Sequence, residues 1–266
     1  MNCSKVVGEE SGLEKHELYD VDFFSGIAQG AFRSAKVVLG LLFEVYQAES
    51  VFDLGCGQGV WLAAAGELGA LRLIGLDGPW LTTDKLLNKR IEFTSANLEE
   101  NIEICERYDL CISVEVAEHL SSDRSRAFVD TLCRASDVVL FSAAIPQQGG
   151  TNHINERWQS YWAGLFDEAG YVCYDLIRPK VWSDPRVESW YRQNLLLYVR
   201  RTHPLGTKLR SYVSAHAPLD IVHPEIYMGN LETLQRPVAE PSLRFCTHIL
   251  GRWCRRQLSK LTDHSR

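Results

Sequence analysis

Residues 51–62 read Val51-Phe52-Asp53-Leu54-Gly55-Cys56-Gly57-Gln58-Gly59-Val60-Trp61-Leu62. Val51, Phe52 and Leu54 give a short buried strand, and Val60 to Ala65 a helix packed back on it. Between them the glycines fall at alternate positions. With no side chains there, the backbone can come close to a ligand and turn the first N–H groups of the helix toward it. Asp53 stands at the carboxyl end of the strand, the edge at which open α/β sheets bind ligands. Many nucleotide-binding folds share a glycine-rich strand–turn–helix, so other positions must narrow the reading.

Leu71 to Leu76 is a second strand, closed by Asp77, 24 residues after Asp53. Ile91 to Ser95 is a third, followed by Ala96-Asn97-Leu98. Tyr108 to Val114 is a fourth, and a helix over 121–135 turns Phe128, Val129 and Leu132 inward. Asp137 to Ile145 is almost continuously apolar, as a centrally buried strand should be. Arg157 to Ala169 reads as a helix carrying Trp158, Tyr161, Trp162, Leu165 and Phe166, stopped by Gly170. Tyr171 to Ile177 and Leu195 to Val199 supply two more strands. Ahead of them all, Ala35 to Ala48 is apolar at helical spacing. This alternation predicts an α/β, doubly wound sheet.

The 266 residues suit one such domain with additions: an N-terminal segment 1–34, the domain over 35–203, and an extension over 204–266. Leu243 to Leu258 repeats Arg244, His248, Arg252 and Arg256 every four residues beside Phe245, Ile249 and Trp253, the pattern of a basic amphipathic helix. It would dock on the chain's own body or bind an acidic partner or membrane surface. The net charge of −6 is uneven, because residues 241–266 hold six Lys/Arg against one Asp. The remaining acidic body argues against a broad nucleic-acid footprint. The eight cysteines are scattered without a C-x-x-C pair, as reduced thiols in a cytoplasmic protein would be. The chain opens with no signal-like segment and has no apolar run near the length of a membrane span.

D-x-G-x-G-x-G resembles the first motif of the class I S-adenosylmethionine (SAM)-dependent methyltransferases. That resemblance implies a Rossmann-like sheet of seven strands, the last antiparallel, over about 35–200. It gives Asp53, Gly55, Gly57 and Gly59 the amino-acid end of SAM and Asp77 the ribose hydroxyls; the alternative for Asp77 is a solvated turn residue. Asn97 and Leu98 take the adenine edge, with Asn97 where many relatives carry Asp. Trp80, after Gly78-Pro79, packs on the adenosine or on the rim. Phe23, Phe24, Gly30 and Arg33 fall near the cofactor entrance, where packing is the plainer role for the phenylalanines.

Glu115, Glu118 and His119 follow the fourth strand as E-V-A-E-H-L. Were a helix to begin at Glu115, the other two would share its face at i+3 and i+4. Carboxylates and an imidazole so close repel and desolvate one another unless a cation joins them. His153, after the fifth strand, can reach the same crevice. E-x-x-E-H with a later histidine resembles the metal site of small-RNA 3′-terminal ribose 2′-O-methyltransferases, and E-x-x-E-H alone that of ubiquinone-pathway O-methyltransferases. By that likeness Glu115, Glu118, His119 and His153 are ligands of a divalent metal, Mg²⁺ or Mn²⁺. Without metal, Glu118 and His119 cap or pack, and His119 or His153 is the general base. Asn152 to Trp162 and Trp190 to Asn194 add rings and amides suited to a sugar, or to plain helix–sheet packing. The sequence therefore reads as an O-methyltransferase acting on a hydroxyl of a glycan, glycoside or related polar metabolite. An RNA 3′-end 2′-O-methyltransferase, a metal-free small-molecule methyltransferase and a non-catalytic SAM-binding protein stay open.

Overall fold

The computed structural model describes residues 21–212 and 219–239 together with Thr247 and Leu250, with residues 21–27 and 234–239 described in backbone only. Helix α1 (Val21–Phe43) precedes β1 (Ser50–Leu54), α2 (Val60–Glu67), β2 (Arg72–Asp77), β3 (Ile91–Ser95) and β4 (Leu110–Val114). Helix α3 (Ser125–Ala135), β5 (Val138–Ser142), α4 (Gln159–Glu168) and β6 (Tyr171–Tyr174) follow. The short helices α5 (Arg178–Val181) and α6 (Ser189–Asn194) lead into β7 (Leu196–Arg200) and α7 (Leu205–Lys208). All seven strands form one sheet in the order β3-β2-β1-β4-β5-β7-β6. The pairs from β3 across to β5 are parallel, while β7 runs antiparallel to both β5 and β6. The doubly wound reading holds, including the antiparallel last strand.

Successive strand residues point to opposite faces, and both faces are covered. Val51, Leu73, Leu110, Ile112, Leu140 and Leu197 bury one face with α1, α2 and α5. Phe52, Ile74, Cys111, Val139, Phe141 and Tyr198 bury the other with α3 and α4. That double burial explains why the central strands are apolar throughout. Trp162 is fully buried against Phe141, and Phe166 stacks on Tyr198 at 3.9 Å between ring centroids. Packing is thus what Trp162 does, whereas Trp158 and Tyr161 are exposed, the Arg157 guanidinium lying over the Tyr161 ring.

Two boundaries move. Helix α1 runs unbroken through residues 34 and 35, so no division falls there. The chain divides into compact units at His223/Pro224 rather than at 203/204. The reason is packing: Leu205 and Leu209 are buried, and the carbonyls of Leu219 and Ile221 accept hydrogen bonds from Arg178 and Gln159. In the second unit, α8 (Pro224–Ala239) is the described element; the basic helix expected over 243–258 lies, apart from Thr247 and Leu250, outside the described residues, as do residues 1–20 and the side chains of Phe23 and Phe24. Among the described residues no helix is long and apolar enough to cross a membrane.

Phe166→Ala removes a ring from the centre of the α4 face. We expect it to lower the unfolding free energy by about 3–5 kcal/mol, read as a lower urea midpoint at unchanged m-value. An unshifted midpoint would place the core elsewhere.

Candidate active site

The glycine turn links β1 to α2. Gly55, Gly57 and Gly59 all have positive φ, at 86°, 50° and 75°. At Gly57 nothing lies within 4 Å of where a Cβ would project, so the turn presents bare backbone to open space. Helix α2 starts at Gly59 without a side-chain cap, which leaves its first N–H groups for a ligand. Asp77 supports this turn from β2: its two carboxylate oxygens accept hydrogen bonds from the Gly57 and Gly78 N–H groups, each at 2.6 Å. Burial raises the Asp77 pKa, and those two bonds pull it back. The expected ribose acceptor is therefore also the brace of the glycine loop.

Gly55, Gly57, Gln58, Asp77, Asn97 and Leu98 border one cavity of about 1200 Å³, which Glu115, His119 and Tyr191 also line. Trp80 lies on its wall, with its ring folded over Gly78. Asn97 is more committed than the sequence suggests, since its amide oxygen accepts the Glu99 N–H and its NH₂ donates to Glu100. Gly30 and Arg33 meet Glu188 instead of opening the entrance. Their neighbours Ala28, Gln29 and Phe32 line the cavity.

The acidic turn after β4 is not the helix on which the i+3 and i+4 spacing relied. Glu115 has φ +55°, and a single 3₁₀ turn spans Ala117–His119. The residues meet for another reason. The Glu118 carbonyl accepts the N–H groups of both Ile154 and Asn155, at 2.9 and 3.0 Å, which ties the loop after β5 to this turn. His153 thereby reaches His119, ring centroids 4.9 Å apart and nearly perpendicular. Ligand atoms of Glu118, His119 and His153 all lie within 4.8 Å of one another.

Glu115 is treated differently. Its Oε1 accepts from Ser142 Oγ (2.7 Å) and Asn194 Nδ2 (3.1 Å), and its Oε2 from Gln148 Nε2 (2.9 Å). Gln193 donates to both Gln148 and Asn194. Desolvation raises the Glu115 pKa, while the bonds from Ser142, Asn194 and Gln148 and the nearby His153 lower it. Glu118 lies alongside, fully buried, and neither of its oxygens has a hydrogen-bond partner. Burial first, then the charge of Glu115, pushes its pKa well up, and the backbone N–H groups of Glu118 and Ala144 pull it only part of the way back. Sequence reasoning missed the Ser142–Gln148–Gln193–Asn194 clamp. The amides of W-Y-R-Q-N suggested sugar contacts, yet Gln193 and Asn194 face the clamp.

Under the glycine turn, Asp53 is buried with Oδ2 unpartnered, and burial followed by the neighbouring Asp77 holds its pKa well above the usual carboxylate range. The unfolded carboxyl ionises near 4. Stability from this group is thus fully present below about pH 4 and is lost as pH rises through the higher folded pKa. Asp53→Asn should flatten that decline, so the ligand-free variant melts above wild type at neutral pH. Equal Tm slopes between about pH 5 and 8 for the two proteins would contradict a buried ionisable charge.

No family model matches the chain. A stretch of 101 residues is 32% identical to the mitochondrial ubiquinone biosynthesis O-methyltransferase of Dictyostelium discoideum, covering 32% of this chain and 31% of that one. The chain thus spans under a third of the length of that curated relative. An O-methyltransferase family protein from Burkholderia thailandensis superposes with a TM-score of 0.50, at 18% identity over 67% of this chain and 57% of that one. A chain from the Haloferax volcanii complex of a methyltransferase activator, Trm112, with its methyltransferase gives 0.54, at 15% identity over 71% and 98%. At such identities the likeness is one of architecture. With the seven-stranded order and the D-x-G-x-G-x-G turn at the end of β1, the chain has the fold of the class I SAM-dependent methyltransferases.

Proposed function

We propose that the protein is a SAM-dependent O-methyltransferase, assisted by a divalent cation, that methylates a hydroxyl of a glycan, glycoside or related polar metabolite. One observation carries it: a buried Glu118 carboxylate without hydrogen bonds stands against His119 and His153, and His119 opens into the cavity that the glycine turn borders. A carboxylate desolvated in this way is costly unless a proton or a cation joins it. One carboxylate and two imidazoles form a donor set for a divalent metal. The stretch similar to an O-methyltransferase favours oxygen as the acceptor atom.

SAM supplies a methyl group already activated by its sulfonium. The bare backbone at Gly57 and the buried Asp53 would receive its amino-acid end. Each Asp77 oxygen keeps a lone pair beyond its backbone bond, and these would accept from the ribose hydroxyls. Asn97 and Leu98 would border the adenine. Glu118, His119 and His153 would hold the cation, which supplies positive charge that orients a hydroxyl and lowers its pKa. Glu115 stands beside that group, its carboxylate held in place by its three donors. In transfer the bond from sulfur to methyl breaks as the bond from oxygen to methyl forms, and the hydroxyl proton leaves to a base. With the cation in place that base is solvent; in the metal-free alternative His119 or His153 would take the proton.

Two measurements test this reading. Gly57→Val puts a branched side chain into the space the cofactor needs, at a φ such residues rarely adopt. Calorimetry should show no SAM binding in this variant, and Asp77→Ala should weaken binding about tenfold, roughly 1.4 kcal/mol. Normal affinity in a folded Gly57→Val protein defeats the cofactor assignment. Separately, chelation should stop methylation of a glycoside panel while SAM still binds. Mg²⁺ or Mn²⁺ should restore turnover, and Glu118→Gln should lower kcat with little change in SAM affinity. Full activity after exhaustive chelation removes the cation from the mechanism, and activity on short RNAs alone reassigns the acceptor.

A further inference from the structure

The loop that carries His153 is built around one carboxylate. Glu156 accepts the Gln147 N–H at 2.6 Å through Oε2 and the Gly149 N–H at 3.1 Å through Oε1. Its Oε1 also lies 3.1 Å from His153 Nδ1. Both side chains are mostly buried, at 12% exposure for His153 and 19% for Glu156. The backbone leading into His153 is held in unusual conformations, with positive φ at Gln147, Gly149, Gly150 and Asn152. At Gly150 the reason is visible: a Cβ would lie 2.2 Å from His153 Nε2 and 2.3 Å from Cε1. The imidazole occupies the space a side chain would need.

We propose that Glu156 is a positioning residue, which fixes the His153 ring with Nδ1–H turned to its own carboxylate and Nε2 left for the Glu118–His119 group. A carboxylate acts only as an acceptor when ionised, so the shared proton belongs on Nδ1. That choice sets the tautomer, and the bare Gly150 sets the ring's place. Loop and histidine then form one unit: the carboxylate that closes the loop through Gln147 and Gly149 also orients the ligand atom. Outer carboxylates on a metal-binding histidine typically change metal affinity by about 10–100-fold. The consequence for metal rests on the cation reading above; the tautomer does not.

The test uses the full-length protein, its Glu156→Ala, Glu156→Gln and Gly150→Ala variants, Mn²⁺ calorimetry, SAM calorimetry and ¹⁵N NMR of the histidine rings. Glu156→Ala should weaken Mn²⁺ binding about 10–100-fold, with SAM affinity within about twofold, and should release His153 into mixed tautomers. Glu156→Gln keeps an acceptor oxygen and should lose less. Gly150→Ala, which crowds the ring while Glu156 is intact, should weaken Mn²⁺ as well. Retention of the Nδ1–H tautomer in Glu156→Ala overturns the proposal, as does equal loss of Mn²⁺ and SAM, the mark of a general structural failure. If wild type binds no Mn²⁺, the cation reading falls, and the His153 tautomer in wild type against Glu156→Ala still decides the role of Glu156.

Discussion

Three carboxylates withdrawn from water at one edge of a parallel sheet govern this structure. Asp53 ends toward the turn after β1, Asp77 closes β2, and Glu118 follows β4, all of them buried. Neighbouring parallel strands bring their carboxyl ends side by side, with Asp53 in register with Gly75 and Ile112. Charge placed at one strand end is therefore felt at the next. Desolvation disfavours each ionised form, and the proximity of Asp53 to Asp77 and of Glu118 to Glu115 adds repulsion. A fold with two apolar faces can carry such groups only where donors or ligands converge, and here that is the cavity edge.

The chain supplies donors to its buried carboxylates unequally. Asp77 receives two backbone N–H groups, and this is possible because Gly57 and Gly78 bring the main chain within 2.6 Å. Glu115 receives one hydroxyl and two amides, drawn from β5, the following loop and α6. Its left-handed backbone turns the chain out of the β4 direction at once, and the 3₁₀ turn after it is too short to display residues on one helical face. The two N–H groups donated to the Glu118 carbonyl then hold the histidine loop against the acidic turn.

This contrast shows what could be read from the amino-acid order. Strand runs, alternating helices and the glycine turn are local signals, since apolar periodicity reports which surface is covered. Seven strands and an antiparallel last one came from resemblance, and the sheet bears them out. The convergence of Glu118 and His119 with His153 also follows from strand order, because β4 and β5 are adjacent. Local spacing misled at Glu115, where an i+3 argument presumed a helix. The clamp on Glu115 had no local signal at all: Asn194 and Gln148 lie 79 and 33 residues away in the chain. The same holds for the boundary near 204, which depends on Arg178 and Gln159 catching carbonyls beyond it.

Glu115 and Glu118 make the sharpest comparison within the site. They are three residues apart and close enough for the charge of one to raise the pKa of the other. Three neutral donors surround Glu115, a number that suits an acceptor-only, ionised carboxylate. Glu118 is the more deeply buried of the two, has no hydrogen bond to its oxygens, and faces two imidazoles. Were burial the whole purpose, an amide or an apolar side chain in place of Glu118 would serve with less loss of solvation. A proton alone would relieve the charge, yet it would leave a buried acid with fewer donors than Glu115 receives. On the reading proposed above, a divalent cation would relieve the charge and draw the carboxylate and the two ring nitrogens into one interaction. The unequal provision of donors to neighbouring carboxylates is thus the feature of this fold that most directly asks for a ligand.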